Sequence, residues 1–264
     1  MPYPWNRLRR RRVRALWALE AGHRRSLLLG APHFFPVSYK PFLHSLIQGV
    51  KRVVFEGNVE PFHPDVGARE ESLMDFLDQE TVRKVKQEVG VVLCTDFARV
   101  DTGELIYSQA KSLEPWAGFL TIWLGYLEKK GWKHSMEADA LEMARAMGKE
   151  VHFLESREEQ LAALRKMPPD RIKRFLGMAE EWEAMLRGFR EMYELGDVEK
   201  ALDCMRHFPT RCEEIIDRRD DRLTERMLPI LREGDALFLL GTAHCPGLIA
   251  RLRSRGIKVR RNDL

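Results

Sequence analysis

Two stretches of the chain repeat one order of features, and that repeat limits the folds open to it. The first runs from an apolar segment at residues 26–29 through Gly30-Ala31-Pro32-His33, a helical segment and Gly49 to a second apolar segment at residues 51–55. The other runs from residues 236–240 through Gly241-Thr242-Ala243-His244, a short helical segment and Gly256 to a strand at residues 257–259. Strands alternating with helices predict an α/β or mixed α+β domain. The repeat predicts a duplicated β-sheet core of two half-domains, with surrounding helices and a helical insertion. The expected organisation is a basic arm over residues 1–14 and one domain over 15–264, with the first half at about 15–135 and the second at about 136–264. Duplication would place His33 and His244 at equivalent strand ends, where the crevice of such sheets lies beyond the carboxyl ends.

The remaining pattern fits between these anchors. Residues 16–20 and 26–29 around Gly22 predict a β-hairpin. Pro41 opens a helix carrying Phe42, Leu43, Leu46 and Ile47, and residues 57–70 predict a loop. Helices are expected at 70–89, on Leu73, Phe76, Leu77, Val82 and Val85, and at 115–130 as a buried core helix. Asp139 is expected to cap a short helix through Ala140, Met143, Ala144 and Met147. Residues 151–154 predict a strand, and Ser156 with Glu159 forms a capping box for the next helix, which ends at Pro168-Pro169. Residues 170–233 read as helical, with breaks near Gly196 and Pro209.

Charge is unevenly spread. The 44 Lys+Arg and 40 Asp+Glu give a formal net charge of +4, but six arginines and no acid fall in the first 14 residues. The body is therefore slightly acidic, which argues against a uniformly basic nucleic-acid surface. Residues 7–14 form an arm suited at most to weak contact with an anionic surface. The apolar run after the arm, Ala15 to Leu19, is shorter than the roughly 7–15 residues of a secretory signal core. The run from Trp116 to Leu127 falls short of the ~20 residues of a spanning helix. Cys94, Cys204, Cys212 and Cys245 form no C-x-x-C pair and match no common zinc spacing. Together these features predict a cytoplasmic protein.

Chemistry is expected at the strand ends. His33 and His244 each follow a buried strand, and Glu56 and Glu155 follow two apolar strands. A carboxylate at a strand end is desolvated on one side and needs a partner. Two histidines and one or two glutamates on one rim suit a divalent metal or an acid/base pair. Gly30 and Gly241 allow a tight turn or a close approach of backbone to a bound cofactor. The charge run from Asp217 to Arg222 is either a solvated helix start or the source of one inward arginine for a carboxylate. No G-x-S-x-G, H-E-x-x-H, Walker A or dinucleotide fingerprint is present.

The order of these motifs resembles the TraB/PrgY/GumN family, which is related to the Tiki metalloproteases and the erythromycin-esterase/ChaN-like group. The residues carrying the resemblance are 16–36 (hairpin and Gly-x-x-His), 51–58 (strand and Glu), 138–164 (acid, helix, strand, Glu, then Gln160) and 218–259 (Arg-Asp helix, second Gly-x-x-His, last strand). The resemblance implies a metal-dependent hydrolase of peptidase type acting on a peptide or small-molecule substrate. His33, His244 and Glu56 would be ligands of a divalent ion such as Mn, Co or Zn, or acid/base groups. Glu155 would be a supporting carboxylate, and Arg219 would hold a substrate or orient a glutamate. The haem-binding ChaN-like relatives imply an alternative, a non-catalytic ligand- or haem-binding protein on the same fold. Two departures stand out: Ala31-Pro32 replaces a pattern that often carries Thr, and Glu137 stands where a glycine is usual.

Overall fold

The computed structural model describes residues 13–57, 72–73, 77–90, 92–94, 99–111 and 113–262. The arginines at positions 7–12, residues 58–70 of the loop expected over 57–70, and Phe76 lie outside the described residues.

The first described element is the expected hairpin, β1 (Leu16–Ala21) and β2 (Arg24–Ala31), joined through Gly22 at φ 61. Pro41 starts α1 (Lys40–Gln48), whose Leu43, Leu46 and Ile47 are buried, and β3 (Arg52–Phe55) follows. Next come α2 (Gln79–Val89), a small hairpin of β4 (Val92–Cys94) and β5 (Arg99–Asp101), α3 (Thr102–Ala110) and α4 (Pro115–Lys129). Then α5 (Met136–Ala146), β6 (Glu150–Phe153), α6 (Arg157–Leu164), α7 (Pro169–Gly177), α8 (Trp182–Leu195) and α9 (Val198–Cys204) lead to α10 (Asp217–Glu233). The chain returns to the sheet through β7 (Ala236–Gly241), then α11 (Cys245–Ser254) and β8 (Lys258–Arg261).

The mixed α/β class is as expected, and both repeats share one six-stranded sheet of order β6-β3-β7-β2-β1-β8. β6, β3, β7 and β2 are mutually parallel, while β1 is antiparallel to both β2 and β8. β7 of the second repeat sits between β2 and β3 of the first, so the two copies interleave. Each copy is a strand–helix–strand crossover, one running toward β3 and the other toward β8. The right-handed rule for such crossovers then puts α1 and α11 on opposite faces. α1 packs against α5, and α10 packs against α11, β1 and β2. The expected insertion is a helical layer of α2, α3, α4 and α7. Its aromatic centre joins Trp123 to Phe175, Trp182 and Phe208, with ring centroids 5.3–5.5 Å apart.

Three local expectations are corrected. The helix expected over 70–89 begins at Gln79, because Asp78 is extended and its carboxylate accepts the Thr81 N–H at 2.7 Å. That local bond satisfies a donor the helix itself leaves unpaired. Asp139 is not a cap: Ser135 caps α5 by accepting the Ala138 N–H, and Asp139 falls in the first turn. The Asp217–Arg222 run is not simply a solvated helix start, since Arg219 and Asp220 are buried. The Ser156–Glu159 capping box forms as expected, and Gly196 ends α8 at φ 84.

Candidate active site

Four parallel strands end side by side, and this brings the candidate side chains to one rim. In the ladder Ala31 pairs with Gly241, and Phe55 pairs with both Leu239 and Phe153. The residues just past those strand ends therefore include His33, Glu56, His244 and Glu155. Beyond the rim an open cleft of roughly 230 Å³ is lined by His33, Phe34, Glu56, Ser135, Glu137 and Gln160.

Glu56 is buried at the centre. Its Oε2 accepts the Gly241 N–H at 3.0 Å, its Oε1 pairs with the Arg219 guanidinium, and His244 Nε2 stands 3.7 Å from Oε1. Burial pushes its carboxyl up, but the charge of Arg219, followed by His244 and His33, outweighs this. The net result holds Glu56 well below the usual carboxylate range, so it is ionised.

Arg219 ties the two strand-end glutamates together. Its Nε donates to Glu155 Oε2 at 3.0 Å and its Nη2 donates to the same carboxylate at 2.6 Å, while Nη2 also reaches Glu56. Arg222 adds a bond to Glu155 Oε1 at 3.1 Å. Burial works against the Arg219 charge, yet Glu56 and Glu155 raise its pKa above the ordinary value. Its Nε and Nη2 donors are committed to the two carboxylates it orients. Arg219 faces inward because α10 buries one stripe through Arg219, Asp220, Leu223, Met227 and Leu231, at the 3.6-residue period.

Each histidine has its Nδ1 against a carboxylate. His244 Nδ1 lies 2.6 Å from Asp220 Oδ1, both side chains being buried. Burial raises the Asp220 carboxyl, and the bond to His244 partly offsets that. His33 Nδ1 lies 3.2 Å from Glu137 Oε2. Chiefly through the Glu137 charge, the His33 pKa is pushed up to about 9. The ring is 67% exposed, so water screens part of that effect.

Gly241 is the meeting point. A β-carbon added there would lie 2.9 Å from Glu56 Oε2, 3.4 Å from the His244 ring and 3.5 Å from His33 Nε2. Gly30 has a different job: a β-carbon there would meet Cys245 Sγ at 2.8 Å, so its missing side chain makes room for Cys245. The structure thus gathers His33, Glu56, Glu155, Arg219, Gly241 and His244, and leaves Gly30 in packing. It adds Asp220, Glu137 and Gln160, which sequence reasoning noted without giving them a place at the site.

The family model for TraB/PrgY/gumN proteins matches residues 15–261 of this chain. The chain belongs to the TraB/PrgY/gumN family. A search of curated proteins gave no match. The matched span of this TraB/PrgY/gumN protein contains every residue of the rim just described. Among its described residues, no helix is long and apolar enough to cross a membrane. Its described cysteines, Cys204, Cys212 and Cys245, are free.

The donor set of this TraB/PrgY/gumN protein suits a divalent ion. Among the described residues, no three His, Cys, Asp or Glu side chains are drawn together as a ready metal cage. Yet metal-binding histidines typically give one ring nitrogen to a carboxylate and keep the other for the metal. Both histidines here have Nδ1 on a carboxylate, leaving Nε2 on the side of Glu56. Two imidazole nitrogens and one ionised carboxylate also match the ligand types of such ions.

Proposed function

We propose that this protein is a metal-dependent hydrolase of peptidase type. The observation that carries the reading is the pair of carboxylate-held histidines on either side of the ionised Glu56, at the carboxyl ends of β2, β7 and β3. His33 Nε2, His244 Nε2 and Glu56 would hold the ion. Bound there, it would supply Lewis acidity toward a carbonyl and lower the pKa of a water.

The chain's own residues define the rest. Asp220 fixes which nitrogen of the His244 ring faces Glu56. Arg219 keeps Glu56 ionised and orients both Glu56 and Glu155. A carboxyl held so far down is a weak base, so Glu56 is better suited to holding charge than to taking a proton. His33 must give up its proton to act as a ligand, and this couples binding to pH. The open side at His33, Ser135 and Gln160 is where a peptide would enter.

The test is hydrolysis of a mixed peptide library by chelator-treated protein given back Mn, Co or Zn. Cleavage that requires added metal and is lost in His244→Ala and Glu56→Gln supports the reading. Metal-independent cleavage, or full activity in either variant, sinks it.

A further inference from the structure

We propose that Glu137 is the positioning residue that sets the ring orientation and tautomer of His33, a role that rests on the hydrolase reading above only in what it serves. The two histidines of the rim are held in unequal ways. His244 is 4% exposed in its side chain and enclosed by the fold, with the Asp220 bond acting on an already confined ring. The His33 side chain is 67% exposed and has no such enclosure. Among the described residues, the bond to Glu137 is the hydrogen bond its ring makes.

The backbone brings this pair together across 104 residues of sequence. Phe35 and His134 exchange backbone hydrogen bonds, Phe35 N–H to His134 O at 2.9 Å and His134 N–H to Phe35 O at 3.1 Å. That bridge lies two residues past His33 and three before Glu137. Ser135 then caps α5, which sets Glu137 in the first turn, where the helix end favours a negative charge. The Glu137 side chain is 6% exposed, so its carboxylate has little water to turn to and needs a protein partner.

The chemistry of the pair follows from the donor inventory. A carboxylate oxygen accepts, so in the neutral ring Nδ1 carries the proton and Nε2 is left for the cleft. Nε2 then lies 3.5 Å from the point above Gly241 that Glu56 Oε2 approaches to 2.9 Å. A ring turned over about Cβ–Cγ would put Cδ2 in place of Nδ1 against Glu137 and Cε1 in place of Nε2, losing the bond to Glu137. Of the two buried carboxylates near the ring, Glu56 and Glu137, Glu137 is the one hydrogen-bonded to it, at Nδ1.

The experiment compares wild type, Glu137→Gln, Glu137→Ala and, as a control, Glu142→Gln on the exposed face of the same helix. In metal-free protein with the ring neutral, ¹⁵N shifts report the His33 tautomer. Zinc affinity is then measured by calorimetry, and folding is checked by thermal unfolding. Wild type and Glu142→Gln should show the Nδ1–H form. Glu137→Ala should move toward the Nε2–H form and bind zinc about 10- to 100-fold more weakly. Glu137→Gln, which keeps an acceptor oxygen, should fall between, and it carries the test if the alanine variant does not fold. Tautomer and zinc affinity unchanged in folded Glu137→Ala, or in Glu137→Gln where the alanine variant does not fold, would overturn the assignment. Peptide cleavage is not read here: a wild type without peptidase activity leaves a shifted tautomer standing, and an unshifted one fails whatever the activity.

Discussion

Asp220 holds His244 Nδ1 at 2.6 Å, and neither side chain is open to water. Through this bond α10 reaches the turn that follows β7, and the ring presents Nε2 toward Glu56 Oε1. Asp220→Asn keeps an acceptor but can turn a donor toward the ring. It should leave the fold intact and weaken both metal affinity and any turnover about 10- to 100-fold. Asp220→Ala should lose more, because Arg251, 3.5 Å from Asp220 Oδ2, loses a partner as well. Calorimetric metal titration beside thermal unfolding separates the two effects. Unchanged metal affinity in Asp220→Asn would remove the orienting role.

Arg219→Leu probes the ion-pair centre. It strips the shared cation from Glu56 and Glu155, both buried. Removing one partner of such a buried set typically costs about 3–5 kcal/mol, since the charges left behind have no counterion. A pH signature should accompany the loss. Glu56 has a folded pKa well below its ordinary 4.5, so its stabilisation is present above 4.5 and fades as pH falls below that value toward the folded pKa. Removing Arg219 moves the folded pKa back up. The variant should therefore gain less stability than wild type as pH is raised from the acid limb. Urea unfolding across that range measures it, and parallel curves for the two proteins would refute the argument.

The parts of this site differed in how far they could be read from the chain. His33, Glu56, Glu155 and His244 are legible because each lies within three residues of the end of a short strand that reads as apolar, and neighbouring parallel strands end on one rim. Arg219 had a weaker signal: stepping back by helical turns from Leu231, Met227 and Leu223 lands on Arg219 and Asp220, which places charge on an apolar stripe. Gly30 and Gly241 look equivalent in the sequence, yet only Gly241 lies against the Glu56, His244 and His33 side chains, because the neighbour that fills the space is set by tertiary packing. Glu137 carried no local signal beyond being where a glycine was expected. Its meaning depends on the Phe35–His134 bridge, a contact no periodicity reports. The starts of α2 and α5 depart from the spacing of apolar residues because Asp78 and Ser135 bond locally and override it. The hairpin of β4 and β5 was missed for a similar reason, three-residue strands being too short to show a period.

His33 should make metal binding release a proton. With its pKa pushed up to about 9 by Glu137, the metal-free ring is protonated at neutral pH, whereas a ligand nitrogen must be bare. Zinc affinity should therefore rise with pH up to about 9, and calorimetry in buffers of different ionisation enthalpy should count a released proton near neutrality. The same shift has a stability consequence of opposite direction. A folded pKa raised from 6.5 to about 9 gives stability that is full below 6.5 and is lost as pH rises through 9. Glu137→Gln should flatten that alkaline slope. No proton release, together with a slope that the variant leaves unchanged, would show that His33 is not charged as described.

Gly247 supplies the sharpest steric test of the Asp220–His244 pair. It lies in the first turn of α11, where a β-carbon would come within 1.9 Å of Asp220 Oδ2 and 3.0 Å of Arg251 Nη1. The first contact is far too short to survive, and Asp220 is buried with little room to yield. Gly247→Ala must therefore push the Asp220 carboxylate aside or separate α11 from α10. Intrinsic helix propensity alone would make the substitution favourable by roughly 0.8–1.0 kcal/mol. The clash should reverse the sign, giving a net loss of about 1–3 kcal/mol by thermal unfolding. Metal affinity should fall with it, as in Asp220→Asn, because the His244 ring loses the acceptor that sets its orientation. A variant as stable as wild type with unchanged metal binding would show that the close approach of Gly247 to Asp220 does not govern His244.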